Sequence, residues 1–371
     1  MSERPIAYYV TAHGYGHGSR SCDILGALKR LRPCGPVLVV SDLGEDFFRG
    51  RLAGSLAESD AFRQAAFDVG MVQVDSIRTD VDATLDRLLS LYARVGPLVR
   101  DEARFLEERG VAAVVADIPG IPLEAAARAG IPAIAVGNFS WDWIYAPFVA
   151  RDRRWGMAVE HFRDAYARAD LLLRLPFHGD MSAFRRIEDV PLLATAGRER
   201  RDEMARQLNA DARKTWVLLS FTSLDWGRQA LDRVNGLTGC EFLSVRPLEW
   251  PGSRVHTVAR EDFSFQDILA SADVVLSKPG FGIVSECIVN RKALIYADRT
   301  DFVEYPVLVE GIRKYLRNLH IPAARLYAGD LGESLEQIGR QPEPADSLPA
   351  GGAEIAARRI LALAGSRPAG C

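Results

Sequence analysis

The chain has 371 residues, 48% of them hydrophobic and 26% charged, which supplies apolar material for two cores and is too much for a disordered chain. Its 46 Lys and Arg stand against 49 Asp and Glu, a formal charge of −3, so no global basic field is available to hold nucleic acid. Five cysteines without a CxxC pair argue against a disulfide framework or a zinc ribbon and suit a reducing, cytoplasmic setting. The Met-Ser-Glu-Arg-Pro start has no signal-peptide layout, and no apolar run reaches the roughly 20 residues of a membrane span.

Short β-branched or aromatic runs alternate with Ala-, Leu- and Arg-rich stretches at helical spacing. In the first half the pattern predicts strands at Ile6–Thr11, Val37–Ser41, Met71–Val74, Ala112–Ala116, Ala133–Val136 and Leu171–Leu175, with helices near Ser19–Leu31, Thr84–Glu108, Pro122–Ala129 and Val159–Ala167. In the second half it predicts strands at Trp216–Ser220, Glu241–Val245, Val255–Val258, Val274–Ser277 and Ala293–Tyr296. Helices follow near Glu199–Leu208, Gln266–Ala270, Ile283–Val289, Val303–Lys314 and Ala353–Ala362. Strand alternating with helix, twice over, implies two parallel α/β sheets. Pro191 to Gly197 reads as a linker and Gln341 to Gly352 as a second break. The expected division is therefore 1–192, 198–350, and a C-terminal helix and tail, 351–371, packing back on either domain.

In open α/β sheets ligands bind beyond the carboxyl ends of the strands. After the first strand comes Thr11-Ala12-His13-Gly14-Tyr15-Gly16-His17-Gly18-Ser19-Arg20. Its glycines allow a tight turn and close backbone approach, and the next helix offers free N–H groups. Imidazole suits proton abstraction near neutral pH. His13 and His17 are thus candidate bases, or else they cap the helix and pack the loop. The spacing is G-x-G-x-G, not the dinucleotide fingerprint, although Asp42 ends the second strand where a nicotinamide enzyme keeps its ribose acid. Asp117 ends the strand Ala112–Ala116, either to orient a histidine or to cap the helix near Pro122. Asn138, Trp141, Asp142, Trp143 and Tyr145 follow another strand. They form either an acceptor platform of aromatic faces and hydroxyl-binding groups, or a helix start capped by Ser140 with its aromatics in the core.

The strongest local signal is Ser277-Lys278-Pro279-Gly280-Phe281-Gly282-Ile283-Val284-Ser285-Glu286. The amides of Gly280 to Ile283 can cradle a diphosphate where a helix opens, and Glu286, about one turn in, can accept both ribose hydroxyls. The bland alternative is an ordinary strand–turn–helix with a surface glutamate. Asp80-Val81-Asp82, the one D-x-D, reads as a helix-start cluster and not a metal chelate.

These motifs together resemble the GT-B glycosyltransferase superfamily, with two Rossmann-like parallel-sheet domains facing a cleft. Residues 277–286 resemble the donor motif of the N-acetylglucosaminyltransferases that make lipid II. The segments Tyr8–His17, Asn138–Tyr145, Asp189–Leu192, Gly280–Glu286 and Arg299–Pro306 more closely resemble the N-terminal glycosyltransferase-like domain of plant L-arabinokinases. The galactokinase-like half of those kinases has no counterpart here, so no sugar-kinase activity is expected.

The resemblance implies a glycosyltransferase that takes a nucleoside-diphosphate sugar, such as a UDP-sugar, as co-substrate, with no bound cofactor or metal. Its acceptor is a small molecule, glycan or lipid. It further implies His17 as base, with Asp117 as its partner and His13 as the alternative. Gly280, Phe281, Gly282, Ile283, Lys278 and Ser223 would hold the donor phosphates, Glu286 the ribose, Phe263 the base, and Asp301 and Glu304 the donor sugar. In many retaining members an E-x7-E motif ends at the ribose Glu; here residue 278 is Lys, which favours inversion. A non-catalytic sugar-nucleotide sensor, a sugar-nucleotide epimerase and, more weakly, a nicotinamide oxidoreductase are the competing expectations.

Overall fold

A computed structural model describes residues 4–299 and 302–365. The chain divides into two compact units. The first comprises the residues up to Val72, Asp80–Ala194 and the residues from Pro349; the second comprises Gln73–Thr79 and Thr195–Leu348.

The first unit is built on a seven-stranded parallel sheet in the order Ala61–Gln64, Val37–Ser41, Ile6–Val10, Ala113–Asp117, Ala133–Gly137, Leu171–Arg174, Ile187–Asp189. Four of the central strands are buried at every position, the signature of a parallel sheet covered on both faces. The last helix, Gly352–Gly365, packs on Tyr15–Leu31 and is led there by the pairing of Leu192 with Ala350. The second unit has a six-stranded parallel sheet in the order Val255–Val258, Cys240–Val245, Thr215–Ser220, Val274–Ser277, Ala293–Ala297, Asn318–Ile321. Its core gathers Val217, Leu219, Phe242, Leu276 and Ile295 and, from the inserted segment, Ile77.

Three strands missing from the sequence pattern, Ala61–Gln64, Ile187–Asp189 and Asn318–Ile321, lie at the edges of the two large sheets. An edge strand is only partly covered and lacks the continuous apolar run of a central one. The helix predicted across Thr84–Glu108 is two helices, Val81–Tyr92 and Val95–Glu108. Pro97 lies in the first turn of the second, where its missing N–H is harmless, whereas inside one long helix it would remove a hydrogen bond. The strand predicted at Met71–Val74 shrinks to Val72–Gln73, because the chain leaves the first unit there. Asp80 caps the helix Val81–Tyr92 by accepting the Ala83 N–H at 2.9 Å, and Asp82 pairs with Arg151.

Candidate active site

In the first sheet the strand order reverses at Ile6–Val10, which pairs with Val37–Ser41 on one side and Ala113–Asp117 on the other. A crevice opens at such a switch point, beyond the strand ends. The pairing of Val10 with Asp117, extended by the Thr11 N–H donating to the Asp117 carbonyl at 2.8 Å, brings two distant parts of the chain into register. His17, in the first turn of helix Tyr15–Leu31, places Nδ1 2.8 Å from Asp117 Oδ1 across 100 residues of sequence.

Two further side chains converge there without having been singled out in the sequence. Arg20, one turn along, is 2% exposed. It donates from Nε to Asp117 Oδ2 at 2.7 Å, from Nη2 to Oδ1 at 2.5 Å, and from Nη1 to Asn138 Oδ1 at 2.8 Å. Ser21 Oγ donates to Oδ2 at 3.0 Å. The i, i+3, i+4 spacing of His17, Arg20 and Ser21 puts all three on one helix face. Burial pushes the Asp117 carboxyl up, but the Arg20 guanidinium and His17 outweigh it and hold it at about 2. Burial, and then Arg20, lower the His17 imidazole, with Asp117 opposing, so the ring is held neutral near pH 7.

His13 is engaged differently. Its Nδ1 accepts the Met71 N–H at 3.1 Å, which puts the ring proton on Nε2 and leaves no lone pair there. Gly70 is required beneath it: φ is +67°, and a Cβ would lie 2.7 Å from His13 Nδ1. His13 thus packs the loop, the bland alternative of the two that its sequence position allowed. Asp68 lies beside it, accepting from Thr11 Oγ1 at 2.8 Å and Trp141 Nε1 at 2.9 Å. Burial raises its carboxyl to about 6 against those two hydrogen bonds. It lines a cavity of about 420 Å³ with Asp86, Arg87, Ser90 and Arg94.

The aromatic segment fills the core. Asn138, Trp141 and Tyr145 are fully buried. Trp141 stacks on Tyr145, whose hydroxyl donates to the Gly70 carbonyl at 2.8 Å. Asp142 is also buried, 3.4 Å from Arg163 Nε, and burial raises its carboxyl. Trp143, half-buried, packs where Gly179 leaves room for its ring. The proposed acceptor platform is corrected accordingly: five aromatic and polar residues in eight positions read equally as a stacking surface or as a helix start, and the helix Trp141–Tyr145 turns its rings inward.

The second sheet reverses its order at Thr215–Ser220, between Cys240–Val245 and Val274–Ser277. The glycine-rich loop after Ser277 therefore lies at this unit's own switch point. Gly280 is the N-cap of helix Phe281–Val289, and no side chain caps it among the described residues. The amides of the first turn point into the loop without intrahelical acceptors. Glu286 is buried, and its Oε1 accepts from Gln266 Nε2 at 3.0 Å. Lys278 makes no ion pair among the described residues. Burial and the nearby Arg299 lower its ammonium to about 7. Arg299 Nε is buried without a hydrogen-bond partner, its guanidinium lies over the Phe302 ring at 3.4 Å, and burial lowers it to about 10. Two desolvated cations thus repel one another at the ends of adjacent strands, with buried Glu304 acting electrostatically on both. Arg299 has no role in the sequence reading; its signal is its position two residues after the strand Ala293–Ala297.

The other residues expected at a donor site lie in different surroundings. Asp301 lies outside the described residues. Phe263 is 1% exposed, beneath the Arg200 guanidinium at 4.6 Å, so its ring presents no free face for stacking. The Ser223 N–H donates to Ser76 Oγ at 3.0 Å, and Thr222 Oγ1 lies 3.1 Å from the same atom. Ser76 belongs to the inserted segment 73–79. Asp75 anchors that segment by accepting from the Ile77 and Arg78 amides and the Tyr327 hydroxyl.

Two open parallel sheets, each with a glycine-rich loop at its switch point, match solved structures along nearly the whole chain. The chain has the GT-B fold. The structures sharing this fold include UGT89C1 of Arabidopsis thaliana complexed with quercetin (TM-score 0.63, 14% identity, 98% of this chain and 100% of that one). The glycotransferase of kitacinnamycin (0.60, 15%, 98% and 94%) and CalG4, the calicheamicin glycosyltransferase (0.57, 16%, 98% and 96%), share it as well. Among curated proteins, L-arabinokinase of Arabidopsis thaliana is 30% identical over 343 residues, covering 90% of this chain and 32% of that protein. This GT-B chain thus spans about a third of that relative's length. No family model matches it, and no helix among the described residues is long and apolar enough to cross a membrane.

Proposed function

We propose that the protein is a glycosyltransferase that moves a sugar from a nucleoside-diphosphate sugar to an acceptor hydroxyl, with inversion and without a metal ion. The observation that carries this reading is the 2.8 Å contact between His17 and Asp117 at the first switch point. His17 Nε2 takes the proton of the acceptor hydroxyl. The acceptor oxygen attacks the anomeric carbon, and the bond from that carbon to the diphosphate oxygen breaks. Asp117 stabilises the imidazolium that forms. The leaving diphosphate is held by the first-turn amides after Gly280, by Lys278 and by Arg299. These groups supply the charge stabilisation that a divalent ion supplies in other transferases. Glu286, fixed by Gln266, accepts the ribose hydroxyls. Glu304 contacts the sugar carried on that diphosphate.

The acceptor side carries charged side chains among apolar ones in this reading. With Trp141 and Tyr145 committed to the core, the groups around the His13 loop are Asp68 and the cavity bordered by Arg87, Ser90 and Arg94. The neighbours support a sugar-nucleotide donor, since the same UGT89C1 is also described in complex with UDP.

The test is a panel of UDP-, GDP-, ADP- and dTDP-sugars incubated with the full chain. Release of nucleoside diphosphate is followed with and without hydroxyl acceptors, and the anomeric configuration of product is read by NMR. One donor released with inversion, and lost in His17→Ala, supports the reading. Binding without release would make the protein a sensor, and a new sugar nucleotide formed without acceptor would make it an epimerase. Binding of none would sink the donor assignment.

A further inference from the structure

His17 Nδ1 is close to two groups at once, Asp117 Oδ1 at 2.8 Å and Arg20 Nη2 at 2.9 Å. The two make opposite demands. The carboxylate calls for a proton on Nδ1, which leaves the Nε2 lone pair for an acceptor hydroxyl. A guanidinium N–H directed at Nδ1 calls for the lone pair there and the proton on Nε2, which disables the base. Arg20 engages the carboxylate more closely than the ring, the same Nη2 lying 2.5 Å from Asp117 Oδ1 against 2.9 Å from Nδ1. It grips both oxygens of Asp117, at 2.7 Å and 2.5 Å, and Asn138 Oδ1 at 2.8 Å. A guanidinium in that fork fixes the plane of the carboxylate. With Ser21 closing on Oδ2, Oδ1 is left turned toward the imidazole.

We infer that Arg20 is a positioning residue for His17: by clamping Asp117 it selects the Nδ1–H tautomer, and by neutralising that carboxylate it makes His17 a weak, permanently available base. The inference rests on the proposed reading of His17 as the base. A histidine paired with a lone carboxylate gains basicity from it. Here the carboxylate is already matched by a buried cation, so the imidazolium gains much less, and the direction of the His17 shift agrees. Among the described residues the charged and titratable groups facing His17 are Arg20 on its own helix, Asp117 on the adjoining strand and His13 in the preceding loop. Asp68 and Tyr8 act on Asp117 through space. Arg20 is the one cation among them and is buried beyond the reach of an acceptor.

Nitrogen-15 NMR of the histidine side chains in the full wild-type chain reads the tautomer directly and needs no turnover. A neutral Nδ1–H ring, staying neutral to below the ordinary histidine midpoint of about 6.5, is expected. An Nε2–H ring in the wild type overturns the inference even if the protein proves to be a transferase. Arg20→Gln should then raise the His17 midpoint and move the acidic limb of kcat/KM upward with it. Arg20→Lys, which keeps the charge and loses the fork, should move it less and provides a second variant if the first does not fold. A fall in kcat with both the midpoint and the limb unmoved would make Arg20 structural only. If no substrate is ever turned over, the NMR titration still decides the Arg20 question, so the two readings fail separately.

Discussion

The backbone N–H of Met71 donates to Nδ1 of His13 at 3.1 Å, and this single bond separates the roles of two histidines four residues apart. His17→Ala should lower turnover by roughly 10²–10⁴, the usual worth of a general base. His13→Gln should cost less than about tenfold, the scale of one neutral hydrogen bond. Comparing kcat for the two variants, with circular dichroism to confirm folding, checks the division; equal losses would restore His13 to the chemistry.

Removing the Glu286 carboxylate should weaken a bound ribonucleotide by about 10–100-fold, as expected for hydrogen bonds to a charged group. The 2′-deoxy form of the same nucleotide should lose less. Calorimetric titration of Glu286→Ala with both forms gives the ratio, and an unchanged ribose preference would remove Glu286 from the donor site.

Lys278 and Arg299 should matter for the second phosphate. In Lys278→Met and Arg299→Met the preference for a nucleoside diphosphate over its monophosphate should collapse while the nucleoside itself still binds. Wild-type protein should also take up a proton on binding near pH 7–8, since the ammonium is held at about 7 until an anion arrives. Calorimetry in buffers of different ionisation enthalpy measures that uptake, and Lys278→Met should abolish it.

The same lysine should cost stability. Its folded value of about 7 lies below the ordinary 10.5, so the unfolded chain binds more protons between those values. Stability from this group therefore falls as pH drops from about 10.5 to 7. Lys278→Met should accordingly raise Tm at pH 7 while impairing diphosphate binding. A lower Tm would show that the side chain is paired in solution.

Asp75 should behave with the opposite sign. Burial opposes its ionisation, but the Arg78 and Ile77 amides, the Arg78 side chain and the Tyr327 hydroxyl together hold it at about 2, below the ordinary 3.8. Its contribution is present above pH 3.8 and is lost as pH falls toward 2. Asp75→Ala should flatten the acid limb of the stability curve near pH 2–4 and remove about 1–3 kcal/mol at pH 7. Urea denaturation across that range reads both effects.

The loops after Val10 and Ser277 were legible in the sequence because each follows a fully buried strand and is marked by glycines and chemically active side chains. The place of Glu286 in the helix that Gly280 opens was legible from its distance to that glycine. Arg20 was not, because an arginine in a helix is ordinarily a solvated residue; only the pairing of Val10 with Asp117 buries a carboxylate opposite it. Asp68 and Ser76 lie in segments without regular pattern, and their partners Trp141 and Ser223 are 73 and 147 residues away. The aromatic loop shows the converse: its composition was plain, but whether a ring faces inward or outward depends on what the neighbouring elements cover.

The segment 73–79 leaves the first unit and returns, and the chain from Pro349 returns again, so the two units cannot be separated by any single cut. A fragment beginning at Thr195 would lack Ile77 from its core and Asp75 from its bond to Tyr327. Chimaeras joined at the Pro191–Gly197 link would pair one parent's seven-residue insert with the other parent's recipient surface. Recombination between relatives should therefore carry residues 73–79 along with the second unit and the final helix along with the first.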